Sequence, residues 1–414
     1  MKILWVKAGG LVPPDTGGKI RSYSILRELS RDHAVTLFSF HDAKADRDQR
    51  ELGKVFDRVV CVPLALPEKR GWAELLSYTA GVFSSEPYNI TKYCRPQVRT
   101  ELADLLEREH YDVIVCDFLM AAGVIPWDSP TPKVLFAHNV EAAIWRRYYE
   151  VARNPLWKAL AWREMQRMEA EERRYLRAAD HVLTVSENDR RLLSRLVEPS
   201  KLTVIPTGVD CDYFRPEAAA QNSQTEDPQT LVFTGSMDWL PNEDAVLYFA
   251  QQVLPLIRQE FPEVSLSVVG REPSRRLQTL AAKETNVQLT GWVSDIRPFL
   301  ARGAVVVVPL RIGGGTRLKI FEAMAMGKAV VSTSIGAEGL PVRHEENILL
   351  ADEPAAFADS VRSLLRDASR RQQLGTAARE LVQQNYSWTK VAQLVASALQ
   401  EVVTAHSIAT PAKS

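Results

Sequence analysis

Four cysteines in 414 residues, Cys61, Cys94, Cys116 and Cys211, stand far apart with no CxxC spacing. That excludes a disulfide framework and a cysteine-rich zinc site, and it points to free thiols, buried by expectation, in a reducing compartment. Net charge is lacking as well. The 51 basic and 51 acidic residues balance, so no global field draws the chain to nucleic acid or to an anionic bilayer. No apolar stretch reaches the ~18 residues a membrane span needs, and the longest core-like run, AVVVVPL, is strand-sized. The opening MKILWVKAGG is too brief for a signal peptide and has no small-residue cleavage site, so a soluble, cytoplasmic protein is expected. Two nucleotide fingerprints are missing. No G-x-G-x-x-G occurs, which argues against a nicotinamide oxidoreductase, and Gly327-Lys328 is followed by Ala329 rather than the Ser or Thr of a Walker A loop.

What is present is an alternating pattern, in a chain long enough for two or three domains. Short β-branched runs, KILWV, AVTLFSF, RVVCVPL, YDVIVCDF, KVLFAHN, HVLTVS and LTVIP, alternate with helical patterns up to about residue 206. Near-continuous apolar strands separated by helices are what a buried parallel sheet requires. The polar, aperiodic stretch 214–230 reads as a linker. The alternation then restarts with LVFTGS, a helix over 241–260, VSLSVVG, VQLTGW, AVVVVPL, AVVSTSI and ILLA. Two α/β units follow from this, each doubly wound, with ligands expected beyond the carboxyl ends of the strands. A last amphipathic helix spans about 388–405.

The stretch PLRIGGGTRLKIFEAMAMGKAVVS, residues 309–332, places Gly313, Gly314 and Gly315 directly before Thr316, Arg317 and Lys319. Thr316 suits a helix N-cap, which puts both cations in the first turn. The helix dipole disfavours them there by roughly 0.3–1 kcal/mol each, unless an anion sits above them. At helical spacing Leu318, Ile320, Phe321, Met324 and Ala325 form an arc toward the sheet, while Glu322 lies one turn beyond Lys319 on a shared side. A nucleoside diphosphate satisfies the dipole, both cations and the carboxylate together. The plainer alternative is a Glu322–Lys319 pair on a solvated face, worth a few tenths of a kcal/mol.

Other strand ends carry polar groups. Gly17 and Gly18 open a helix before Lys19 and Arg21, a place for phosphate or sugar hydroxyls. His138-Asn139 closes a strand before a long helix that starts near Glu141; an imidazole there can bind a polar ligand and titrate near neutral pH, or it can simply pack. Gly235 and Ser236 open the second unit before a helix near Asn242, and Ser186 reads as an N-cap. The region 141–178 mixes Trp145, Trp157 and Trp162 with arginines, which suits either a membrane interface or a core. Basic and acidic residues nearly balance over 1–210, so core packing with a charged outer face is the expectation.

Taken in order, GGLVPPDTGGKIRSYSIL, TVSENDRRLL, VIPTGVDCDYF, VSLSVVG, VQLTGWVSDIRPFLARGAVVVVPL, KIFEAMAMGKAVVSTSIGAEGL and NILLAD resemble the family 4 glycosyltransferases, most specifically over 287–351. The resemblance implies an α/β fold of GT-B architecture, two Rossmann-like doubly wound parallel-sheet domains facing each other across a cleft. Residues 1–211 would take the acceptor, 228–385 the nucleotide sugar, and 386–414 would form a helix returning to the first domain plus a tail. It also implies a retaining, metal-independent transfer from a nucleoside-diphosphate sugar, with no further cofactor. The acceptor would be a glycan or a lipid-linked sugar in surface polysaccharide or glycolipid biosynthesis, in the cytoplasm with peripheral contact at the inner membrane face allowed.

By this resemblance Glu322 corresponds to the second glutamate of an E-x7-E motif, which binds ribose. His138 corresponds to the histidine near the transferred sugar, and Gly18 to the glycine-rich loop beside the donor phosphates. Gly314 stands where the motif has its first glutamate, and Ser236, Asp238 and Asn242 replace the usual Arg and Lys after the first strand of the second domain. Diphosphate neutralisation therefore falls to Arg317 and Lys319. His138, Arg317 and Lys319 are the expected catalytic residues; Gly17, Gly18, Gly235, Ser236, Gly313, Gly314, Gly315, Thr316 and Glu322 are the expected donor-binding ones. The departures keep two alternatives in view. A GT-B sugar-nucleotide epimerase would consume donor without acceptor, and a catalytically silent GT-B partner protein would not bind donor.

Overall fold

The computed structural model describes residues 1–14, 16–41, 45–66, 86–151, 154–216, 226–312 and 318–409. The chain divides into two compact units, Met1–Pro206 together with the chain from Val391 onward, and Thr207–Lys390. The division falls before the polar linker. Val209 N donates to Tyr386 O at 2.8 Å, and a Cβ on Gly208 would lie 2.5 Å from the Trp388 ring, so this stretch is fitted to the second unit.

The first unit holds seven strands: β1 Lys2–Ala8, β2 Ala34–His41, β3 Arg58–Pro63, β4 Val113–Asp117, β5 Lys133–Ala137, β6 His181–Thr184 and β7 Leu202–Val204. They pair in parallel in the order β3-β2-β1-β4-β5-β6-β7. Every residue of β4 and β5 is buried, as a sheet covered on both faces demands. The second unit holds β8 Asp227–Thr234, β9 Ser265–Val269, β10 Val287–Gly291, β11 Gly303–Val308, β12 Ala329–Ser332 and β13 Leu349–Leu350. Their order is β10-β9-β8-β11-β12-β13, again parallel. In each sheet the chain builds outward to one side and then returns to the other, so strand order reverses at β1/β4 and at β8/β11. Loops leaving the carboxyl ends diverge at such a point and open a crevice for ligand.

Four local readings need correction. The region 141–178 is two helices, Glu141–Val151 and Pro155–Ala178, because Asn154 Oδ1 accepts from Trp157 N at 3.2 Å and Pro155 occupies the first turn, which together begin a new helix. Its inner face packs on the core through Ala142, Met168, Tyr175 and Leu176, but of the three tryptophans only Trp145 joins it; Trp157 and Trp162 are 46% and 52% exposed, against the expectation of core packing. The helix expected over 241–260 runs over Leu240–Arg258 and widens into a π-type turn at Phe249–Val253. Pro255, which has no N–H to continue the α-helical ladder, follows that turn. Ser186 caps its helix as read, accepting from Asp189 N at 3.1 Å. All four cysteines are free; Cys61 and Cys116 are buried, but Cys94 and Cys211 are half-buried rather than fully buried. No helix among the described residues is long and apolar enough to cross a membrane.

Candidate functional site

Each reversal point carries a polar cluster. In the second unit β8 ends at Thr234 and the backbone turns at Gly235. A Cβ on Gly270, just after β9, would fall 1.6 Å from the Gly235 carbonyl oxygen, so only glycine lets these two strand ends approach. Beyond β11 the residues Gly313, Gly314, Gly315, Thr316 and Arg317 lie outside the described residues. The helix Leu318–Ala325 follows and buries Ile320, Phe321, Met324 and Ala325 in the second core, with Leu318 half-buried.

That packing directs Lys319 back over the reversal point. Its Nζ donates to Asn242 Oδ1 at 2.7 Å, lies 4.2 Å from the Phe233 ring centroid, and would be 2.9 Å from a Cβ on Gly235. Asn242 is buried and donates from Nδ2 to Ser236 O at 2.8 Å, so one amide ties the lysine to the Gly235–Ser236 turn. The Ser236 hydroxyl donates to Asp238 and accepts from Arg271 Nε at 2.9 Å. Lys319 is therefore held at the strand ends instead of resting on a solvated face. Glu322, half-buried, has its carboxyl pushed up to about 7 by desolvation, with the nearby Lys319 charge opposing the rise. Near neutral pH it can donate a hydrogen bond when protonated or accept one when ionised. Among the described residues no group of three His, Cys, Asp or Glu side chains is placed to hold a metal ion.

In the first unit the cluster sits where β1 meets β4. Lys7 and Asp117 are register partners, and Lys7 Nζ is 3.0 Å from Asp117 Oδ2. The same oxygen accepts from Trp5 Nε1 at 2.8 Å, and Lys7 also donates to Ser22 Oγ at 3.1 Å. His138, one residue past β5, brings Nε2 to 2.8 Å from Asp117 Oδ1, off the ideal hydrogen-bond angle, and Nδ1 to 3.3 Å from Arg21 Nη1. This arrangement favours the tautomer with its proton on Nε2 and its lone pair toward the guanidinium.

All four of these titratable groups are buried. Burial opposes ionisation of Asp117, but Lys7 and His138 outweigh it and hold the carboxyl well below the usual range. Burial pushes His138 down to about 4 despite the pull of Asp117, and it lowers Arg21 to about 10. His138 is thus a neutral ring at physiological pH, not the group titrating near neutrality that its position suggested. Its face is covered: Phe118 stacks on it at 3.9 Å and 10°. Gly17 and Gly18 form the first turn of the helix Gly17–Leu29, and a Cβ on Gly18 would lie 2.8 Å from the Phe118 ring. The structure therefore joins Gly18 to His138 through Phe118, and Gly235 to Lys319 through Asn242.

Asp117, Phe118, Lys7 and Arg271 escaped the sequence reading as site residues. The available signal was a charge at the end of an otherwise apolar strand, in KILWVKA and VIVCDF.

Two all-parallel α/β units, each with its polar cluster at the reversal of strand order, make a two-domain fold of GT-B type. The family model described as Glycosyltransferase Family 4 matches residues 16–213, and that of Glycosyl transferases group 1 matches 228–367. The chain belongs to the group 1 glycosyltransferases. One relative, an uncharacterized 44.6 kDa protein in the cps region of Klebsiella pneumoniae, is 21% identical over 94% of this chain and 97% of its own. A GDP-mannose-dependent α-(1-6)-phosphatidylinositol monomannoside mannosyltransferase of Mycobacterium tuberculosis is 28% identical over 53% of this chain, and the match spans 62% of the mycobacterial enzyme. Among solved structures, Anabaena HepE in complex with UDP superposes with a TM-score of 0.69 at 15% identity, covering 97% of this chain and 100% of that one. Sucrose-phosphate synthase from Thermosynechococcus elongatus gives 0.70 at 19% identity, covering 98% and 100%. These likenesses speak for the fold.

Proposed function

We propose that the protein transfers a sugar from a nucleoside-diphosphate sugar to a glycan or lipid-linked acceptor, with the donor diphosphate at the β8/β11 reversal of the second unit. The observation that carries this reading is Lys319, a cation in the first turn of a helix, held by Asn242 against the Gly235 turn, where the missing Cβ lets the amide and the ammonium come close to the backbone. As the glycosidic bond breaks, negative charge grows on the leaving diphosphate, and a preorganised ammonium stabilises it by a few kcal/mol. Glu322 lies one turn further and suits a ribose hydroxyl. Arg317 and the amides of Gly313–Gly315 remain part of the reading from their position in the sequence.

HepE, of similar fold, was crystallised with UDP and with UDP-glucose, which supports a nucleotide-sugar donor. Retention of configuration, independence of metal, a cytoplasmic place with contact at the membrane face, and a role in polysaccharide or glycolipid assembly belong to the same proposal. The test is titration calorimetry with UDP, GDP and ADP on the wild type and Lys319→Ala. We expect one nucleotide to bind and its Kd to rise at least tenfold in the variant, about 1.4 kcal/mol. Equal affinity in the two proteins would remove Lys319 from the site.

A further inference from the structure

Strand β4 ends at Asp117, and the chain must turn at once into a 3₁₀ helix, Leu119–Val124. The residue that makes this turn is Phe118, at φ 72° and ψ 146°. A non-glycine residue avoids that region, where Cβ crowds the backbone, and glycine would make the same turn without strain. The backbone around it is fixed on both sides. Phe118 N donates to Phe136 O at 3.1 Å, and Phe118 O accepts from Ala121 N at 3.0 Å. The chain therefore keeps a phenyl ring at a position where its own geometry disfavours one.

The ring is also prepared from behind. One face lies flat on the neutral His138 imidazole, and His138 is itself gripped by Asp117 and Arg21. Lys7 Nζ is 4.7 Å from the Phe118 centroid, and the missing Cβ of Gly18 leaves the ring its place. Yet Phe118 is only half-buried, while His138, Asp117, Lys7 and Arg21 are buried. Of this cluster Phe118 is the residue that is not fully buried, and it stands at the β1/β4 reversal where a ligand of such a sheet lodges.

We propose that Phe118 is a substrate-contacting residue: its ring is the wall against which a pyranose ring packs, and His138 behind it is a positioning residue. The C–H groups on one face of a pyranose carry partial positive charge and meet the negative face of an aromatic ring. This inference rests on the reading of the chain as a sugar-transferring enzyme.

The probes are methyl α-glucoside, methyl α-galactoside and methyl α-mannoside, read by saturation-transfer NMR on the full chain. In the wild type we expect at least one glycoside to receive saturation at its ring protons. Phe118→Leu should lower that signal at least fivefold, Phe118→Tyr less than twofold, and His138→Gln to an intermediate level through loosening of the ring. Phe118→Gly, which keeps the turn and removes the ring, guards against a failure of Leu to fold and should match it. No saturation of any glycoside in the wild type, or equal saturation in the wild type, Leu and Gly proteins, overturns the proposal. Failure of all three nucleotides to bind would strike the reading of the second unit while leaving this glycoside contact measurable.

Discussion

Glu322→Gln isolates the carboxyl of the second unit. In the folded chain that carboxyl titrates near 7, against an ordinary glutamate value of 4.5, because burial disfavours its charged form. Between those two values the native state holds more protons than the unfolded state, so stability falls as pH rises and the full loss is present above pH 7. At about 1.4 kcal/mol per pH unit the gap corresponds to about 3 kcal/mol, and partial exposure of the side chain reduces it to about 2 kcal/mol between pH 5 and pH 8. Glutamine keeps the shape and cannot ionise. The difference in melting temperature, Gln minus Glu, should therefore be small at pH 5 and grow by roughly 4–8 °C at pH 8, given about 2–4 °C per kcal/mol in a domain of this size. Glu172, whose carboxyl burial also pushes up to about 7, is present in both proteins and cancels in the difference. A pH-independent difference, or a Gln variant melting lower than wild type at pH 8, would refute the reasoning.

Other perturbations bear on the same two clusters. Asp117→Asn leaves Lys7 and Arg21 buried without their central carboxylate and should cost about 3–5 kcal/mol of stability in urea unfolding; a loss under about 1 kcal/mol would mean water reaches the cluster. Gly270→Ala drives a methyl group to 1.6 Å from the Gly235 carbonyl oxygen, so the ends of β8 and β9 must part. We expect a loss of about 1–3 kcal/mol and at least tenfold weaker nucleotide binding by calorimetry; a wild-type Kd would show that the turn does not shape the phosphate site.

The fold was legible because parallel strands buried on both faces write themselves as unbroken apolar runs. VIVCD and KVLFA, read as strands, are buried at every residue. Helix breaks were harder to read: NPLW restarts a helix only because the Asn154 side chain turns onto the backbone of Trp157, a choice that periodicity does not encode. The candidate site was half legible. Helical spacing showed that Lys319 and Glu322 share a side, but not that Lys319 reaches Asn242, 77 residues away in sequence. His138 was found by its place at a strand end. Its burial and its neutrality come from Asp117, Arg21 and Phe118, which β1/β4 pairing and the following loops bring together over long stretches of chain.

Local and global preferences agree over most of this chain and part company at the two reversal points. There the first unit buries two cations with a carboxylate and holds a phenylalanine in backbone space suited to glycine. The second presses two glycine backbones together and raises a glutamate toward neutrality. None of these features is needed to close a parallel sheet, and each lowers stability relative to an apolar, unstrained alternative. Folding alone gives no reason to gather such features at the two places where strand order reverses. Ligand binding at each of these places, as proposed above, does, since each costly group then faces the chemistry that offsets it.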